Sequence, residues 1–365
     1  MAFLCGWRSN MKIYEITLET LGPVFIGSGE ILKKSSYIYD RKEGKVYIPD
    51  DRKMINWMME NNLLDSFEEF FYDNKSKTKD LYTWFKLNNL LGNYKKLMKH
   101  SVTVGDLSRD RKKGLNDIQV FIKGGDGNAY IPGSSLKGAI RNILLSEKNR
   151  DKDPKYFSDY LNNRENIKSI ERKAVQEDRE SFKRKINEKD YEDVMKYLLL
   201  SDSNPIDVED FIIVQKIDRN IRGKENTIST FRECIKPGTE IKFQMKIKKE
   251  LGFGIEDIKR AIEKFYNDID YYFLQEFDVK LRKGNYIYIG GGSGFVTKTS
   301  TYPYLGENKK SKEIVGEILG DKFRKIKHRS LAIRNDVAPQ VLKVTKYKNE
   351  YYEMGLCKID FKEVK

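Results

Sequence analysis

Glu240-Ile241-Lys242-Phe243-Gln244-Met245-Lys246-Ile247-Lys248 alternates apolar and polar residues without a break. A period of two places Ile241, Phe243, Met245 and Ile247 on the inward face of a strand, with mostly lysine outward. Soon afterwards the period changes. Ile258, Ala261, Ile262, Phe265 and Ile269 fall on one side of a helix expected from Asp257 to Phe277. A half-buried strand leading into a long amphipathic helix is a building unit of an α+β fold.

The same alternation of periods extends in both directions. Upstream, Ile13 to Leu21 favours strand and ends at Gly22-Pro23, before the apolar turn Val24-Phe25-Ile26-Gly27-Ser28-Gly29. Strands are expected at Tyr37–Tyr39 and Lys45–Ile48, around the turn Lys42-Glu43-Gly44. Helical stripes follow, carried by Met54, Ile55, Met58 and Met59, then Phe67, Phe70 and Phe71, then Leu81, Trp84, Phe85 and Leu87, and such stripes are usually core faces. Ile118–Lys123 reads as strand, and Gly124 to Asn128 as a turn. After Pro132-Gly133 a helix begins, with Ser134 or Ser135 as its cap and Leu136, Ile140, Ile143 and Leu144 on its buried side. Downstream, strands are expected at Phe211–Val214, Tyr286–Ile289, Val341–Tyr347 and Tyr351–Ile359, with a helix at Lys312–Leu319.

Each half runs strand, helical segment, strands, helix, strand. The expected fold is therefore α+β, with two ferredoxin-like (RRM-like) domains and a charged helical insertion. The expected boundaries are an extension over 1–10, which either precedes the natural start at Met11 or is disordered, an N-terminal domain over 11–145, a charged helical segment over 146–205, and a C-terminal domain over 206–365. Residues from Ser146 to Ser203 carry charges of both signs and only a thin scatter of apolar side chains (Phe157, Tyr160, Leu161, Ile167, Ile170, Val175, Phe182), which sets them apart.

The chain has 365 residues, and 69 Lys+Arg against 55 Asp+Glu give a net charge of +14. A field of this sign attracts phosphates. Nucleic acid is the first partner class it suggests, an anionic membrane surface the second, and a solvated network of surface charges the plain alternative. No apolar run approaches the length of a membrane span. Cys5, Cys234 and Cys357 lie far apart without metal spacing, which suits a reducing cytoplasm and implies neither a metal nor a cofactor. His100 and His328 are the only histidines, so acid–base catalysis has little to draw on.

Two segments can carry anion chemistry. In Ile131-Pro132-Gly133-Ser134-Ser135-Leu136-Lys137-Gly138-Ala139-Ile140-Arg141, a tight turn opens a helix, aiming free N–H groups and a positive dipole end outward. Lys137 and Arg141, four apart, add charge to one face. An ordinary capped helix with two solvated cations fits slightly better on these residues alone, and the spacing fails the P-loop pattern. The second segment, Gly290-Gly291-Gly292-Ser293-Gly294, lets a backbone or a phosphate approach closely and is followed by Phe295, Val296, Thr297, Lys298 and Thr299. Basic clusters recur at Arg109–Lys113, at Arg219, Arg222 and Lys224, and at Arg324, Lys325, Lys327, His328 and Arg329. Phe231, Phe295, Tyr302 and Tyr304 stand near several of them, as stacking on single-stranded bases would require.

Leu21 to Gly29, Ile131 to Arg141 and Gly290 to Gly294, taken in this order, resemble the RAMP superfamily of CRISPR proteins. The tail, Ala338-Pro339-Gln340-Val341-Leu342-Lys343-Val344-Thr345 and Tyr352-Glu353-Met354-Gly355-Leu356, is similar to the fifth-subunit family of type III-A Csm complexes. The resemblance implies a subunit at the head of a Csm filament that holds the 3′ end region of the CRISPR RNA (crRNA) and caps a backbone RAMP subunit. It also implies crRNA 3′ maturation through recruited host nucleases. The residues it points to for RNA binding are Gly133, Ser134, Ser135, Lys137 and Arg141, then Gly290, Gly291, Gly292, Ser293, Gly294 and Lys298. The rival is a repeat-processing endoribonuclease of the same superfamily, for which His100 is the available histidine.

Overall fold

The computed structural model describes residues 11–72, 80–107, 115–148, 150, 182–187, 190–279, 282–299, 301–305, 308–323, 327–335 and 337–364. Residues 1–10, the basic stretch Arg109–Lys113, most of the charged 146–205 segment and Arg324–Lys325 lie outside them, as do the side chains of Tyr304 and Lys327.

The alternating strand Glu240–Lys248 sits inside a five-stranded antiparallel sheet ordered Tyr286–Tyr288, Leu356–Val364, Met11–Thr20, Glu240–Lys248, Leu198–Leu200. Register aligns the apolar faces: Tyr14 opposes Met245, Ile16 opposes Phe243, and Leu18 opposes Ile241. All six are buried, while their odd-numbered neighbours on Met11–Thr20 stay partly or fully accessible. The helices Gly133–Lys148 and Ile255–Tyr272 pack against each other and join the same core. Their buried faces include Leu136, Ile140, Ile143 and Leu144 on one and Ile258, Ile262, Phe265 and Ile269 on the other, the faces the sequence periodicity predicts.

In chain order this layer reads strand, helix, strand, strand, helix, strand, strand, the order of a split βαβ unit with one added edge strand, Tyr286–Tyr288. Its parts come from the whole length of the chain. The boundaries expected at 145 and 205 are therefore not sheet boundaries, because Met11–Thr20 pairs with Glu240–Lys248 on one side and Leu356–Val364 on the other. A period of two fixes which residues face inward but says nothing about which distant strand lies alongside.

The second sheet has nine strands and is not a tandem copy of the first among the described residues. Its main path runs Gly27–Leu32, Ile118–Phe121, Glu225–Ile235, Phe211–Asn220, Met98–Val104, Lys45–Pro49, Ile38–Asp40, and Val341–Tyr347 and Glu350–Glu353 extend it from Phe211–Asn220. Two of its pairings are parallel. Three helices, Asp51–Glu60, Leu64–Tyr72 and Leu81–Leu87, pack at its edge around Met54, Met58, Trp84 and Phe85, a small core of their own. Asp50 and Asp80 cap two of these helices, accepting from the backbone N–H of Lys53 (3.0 Å) and Thr83 (2.8 Å). Among its described residues the charged segment holds the end of the Gly133–Lys148 helix, a two-stranded hairpin of Lys183–Lys185 with Tyr191–Asp193, and a 3-10 turn at Val194–Tyr197. No described helix is long and apolar enough to cross a membrane.

Candidate nucleic-acid interface

The motif segments at 21–29, 290–294 and 352–356 are fastened together by backbone contacts. Gly291 N–H donates to Phe25 O at 2.7 Å, Gly355 N–H to Pro23 O at 2.9 Å, and Ile289 N–H to Gly355 O at 2.9 Å. Gly290 holds φ +73°, and a Cβ there would lie 2.2 Å from Phe25 O. Glycine is thus required at 290 by both conformation and space. Behind the loop, Glu353 is buried and accepts from Arg282 Nη1 at 2.7 Å and from the Tyr288 hydroxyl, which fixes the strand leading into Gly290. Ser293 is also buried, its hydroxyl accepting from Thr297 at 2.9 Å. Val296–Lys298 forms a short 3-10 turn after the loop.

This anchored loop faces the Gly133–Lys148 helix across a cavity of about 360 Å³. Ser135, Gly138 and Asn142 line it from the helix, and Gly290 and Lys298 from the loop, over a floor containing Phe265. The two sequence segments that can carry anion chemistry therefore meet. Of the eleven residues singled out, Ser135, Gly290 and Lys298 line this cleft.

Others are placed differently. Gly133 is buried, and its N–H donates to Asp202 Oδ1 at 2.8 Å. A carboxylate from 69 residues away, not Ser134 or Ser135, satisfies the helix start and puts negative charge where a phosphate was expected. Ser134 is exposed on the first turn. Lys137 and Arg141 share a different face from the cleft. Arg141 Nη1 is 2.7 Å from Asp193 Oδ2, and its guanidinium lies over the Phe182 ring, 5.0 Å from the centroid. Burial and the Arg141 charge push Lys137 below the ordinary lysine range, partly offset by Asp193.

The cations beside the loop include two that the sequence reading missed. A Cβ on Gly292 would stand 2.5 Å from Arg232 Nη1, and one on Gly294 would stand 3.3 Å from Lys343 Cγ. Arg232 donates Nε–H to Gln119 Oε1 at 2.8 Å and lies over the Phe25 ring at 5.1 Å, while its buried Nη1 has no hydrogen-bond partner among the described residues. Lys298 is solvent-accessible, yet the surrounding protein and the Arg232 charge push it below the ordinary lysine range. Burial, with Lys343 adding to it, does the same to Lys216. Lys343 pairs with Asp218 at 2.7 Å, whereas Lys216, Arg232 and Lys298 make no ion pair among the described residues, although Asp218 partly offsets the shift of Lys216. Crowded, partly desolvated cations of this kind are stabilised by any anion that comes among them. The signal for Arg232 and Lys216 was present only as cations flanked by non-basic residues within strands.

Two of the aromatics expected to stack on bases are core residues instead. Phe231 is buried, and Tyr302 is buried with its hydroxyl donated to Ala338 O. His100 lies on Met98–Val104 opposite Ile48, away from the cleft lining. Burial and Lys123 push it below the ordinary histidine range. Among the described residues no group of histidine, cysteine and carboxylate side chains could hold a metal ion.

The pairing of Arg141 gives a first expected outcome. Arg141→Ala removes a half-exposed ion pair and a cation–π contact, each worth about 0.5–1 kcal/mol, so denaturant melts should show a loss of about 1 kcal/mol. RNA affinity should change less than about twofold, because Asp193 already offsets this charge.

The chain is similar to known proteins over most of its length. A family model described as the RAMP superfamily matches residues 17–297. The protein named CRISPR system Cms protein Csm5 from Streptococcus thermophilus is 32% identical over 302 residues, covering 80% of this chain and 81% of that protein. Its namesake from Mycobacterium tuberculosis (strain CDC 1551 / Oshkosh) is 30% identical over 97% of this chain and 99% of its own length. That from Enterococcus italicus is 27% identical, covering 97% and 98%. Among solved structures, a chain of a cryo-EM Csm-crRNA-target RNA ternary complex of a type III-A CRISPR-Cas system aligns with TM-score 0.63 at 19% identity, covering 95% of this chain and 100% of that one. The crystal structure of T. onnurineus Csm5 aligns with TM-score 0.59 at 17% identity, covering 94% and 99%. At these identities the two structures speak to the fold. The sequence matches go further, and by them the chain belongs to the RAMP superfamily and, within it, to the CRISPR Csm5 family.

Proposed function

We propose that the chain is the crRNA-binding subunit at the head of a type III-A Csm complex. There it holds the 3′ end region of the guide RNA and caps the row of backbone RAMP subunits. The observation that carries this reading is the cleft between the Gly133–Lys148 helix and the glycine-rich loop, bordered by Lys298 with Arg232 and Lys216 close by. In that reading the phosphates run past Lys298 over the glycines, whose bare backbone permits close approach. Family membership supplies the setting, and a net charge of +14 suits an RNA partner. Trimming of the guide's 3′ end falls to recruited host nucleases, and the role in antiviral defence is exerted through the assembled complex.

The test is reconstitution of the complex with and without this chain. Omission is expected to lengthen the 3′ ends of the copurified guide and to leave the head of the filament open. Identical guide lengths and particle shape without the chain would overturn the placement. A nuclease is the competing reading. Cleavage of repeat RNA by the purified chain, abolished by His100→Ala, would favour it instead.

A further inference from the structure

We propose that the cavity between the Gly133–Lys148 helix and the glycine-rich loop takes one unstacked nucleobase of the bound RNA. This rests on the RNA-binding reading and deepens it, since a groove that only tracks phosphates needs no cavity. The volume, about 360 Å³, lies in the range of small-ligand pockets, about 300–1,000 Å³, and is far too small for a helix or a duplex. Its walls suit a flat heteroaromatic ring. Ala139, Ile143 and Phe265 make them apolar, and the Tyr288 hydroxyl is turned away onto Glu353. Asn142 supplies the polar contact: its side-chain amide makes no hydrogen bond within the protein among the described residues. One N–H donor beside one C=O acceptor is the complement that base edges present. Lys298, on the rim, is placed for the phosphate of the same nucleotide.

Gly138 gives an independent argument. Glycine in a helix interior is less favourable than alanine, so its presence there calls for a reason. Protein packing does not supply one, because nothing lies within 4 Å of where its Cβ would be. That position faces the cavity. A bare helix surface there makes room for something other than this chain, and the ring of a splayed-out base fits it, as proteins that bind single-stranded RNA take up unstacked bases.

The experiment uses the full chain and single-stranded RNAs carrying 2-aminopurine at successive positions. One position is expected to brighten severalfold on binding, as the probe leaves its stacked neighbours. Gly138→Ala should raise the melting temperature by a few degrees while weakening RNA binding several-fold. Asn142→Leu should weaken it about tenfold, and Gly138→Leu should abolish the bright position, each leaving the salt dependence as it was. RNA binding with no bright position, or an unchanged bright position and affinity in Gly138→Ala and Asn142→Leu, overturns the base pocket and leaves the phosphate groove standing. Absence of salt-sensitive RNA binding by the unaltered chain overturns the broader reading. Should Gly138→Leu fail to fold, the other two variants decide the matter.

Discussion

Gly290→Ala is expected to destabilise the chain by about 3 kcal/mol or more, among the largest effects of any single substitution in the fold. Two costs add. A β-carbon at φ +73° carries the left-handed penalty, about 1–2 kcal/mol. The same carbon would lie 2.2 Å from Phe25 O and 2.9 Å from Ile26 Cδ1, so the loop must move away. Movement would break the bond from Gly291 N–H to Phe25 O, leaving polar groups unpaired at a further cost of about 1–3 kcal/mol. Denaturant melts measure the loss directly. Gly125→Ala is the control: nothing lies within 4 Å of its would-be Cβ, and a change under about 0.5 kcal/mol is expected. Equal effects from the two would show that the loop is not anchored on Phe25.

The second large effect concerns binding. Lys216→Ala together with Lys298→Ala removes two cations that make no ion pair among the described residues. A hydrogen bond to a charged group is worth about 1.5–3 kcal/mol, so RNA affinity should fall by about two orders of magnitude or more. Each phosphate contact contributes about 0.7 to the slope of log affinity against log salt for single strands. The double variant should therefore flatten that slope by about 1.4. Fluorescence anisotropy across a salt series reads both quantities. Folding should be unharmed, because each lysine is held below its ordinary range by its surroundings and its removal relieves that strain. An undiminished slope would place the phosphates elsewhere.

Much of the local structure was legible in the sequence. The strict alternation over 240–248 and the 3.6 period over 258–269 name the buried residues of their elements correctly, because facing is a local property. Partner choice is not local. Nothing near Met11–Thr20 announces that it will lie between strands over 200 residues downstream, and so the chain read as two tandem units. The helix start at Gly133 misled for a similar reason, since its cap comes from Asp202. Arg141 looked free because Asp193 is distant in sequence. The glycine-rich loop was legible as a place of close approach, but what approaches Gly290 and Gly291 is the chain itself, at Phe25. Lys298 was found through its place after the loop. Arg232 and Lys216 needed the fold to bring their strands beside it.

The most direct test is a cross-link map. RNA carrying 4-thiouridine, irradiated in complex with the full chain and digested, reports which peptides touch it. Cross-links concentrated in 133–148 and 288–299, and lost on raising the salt, are the predicted result. Cross-links confined to the helical edge over 51–87, with the cleft peptides unmodified, would contradict it.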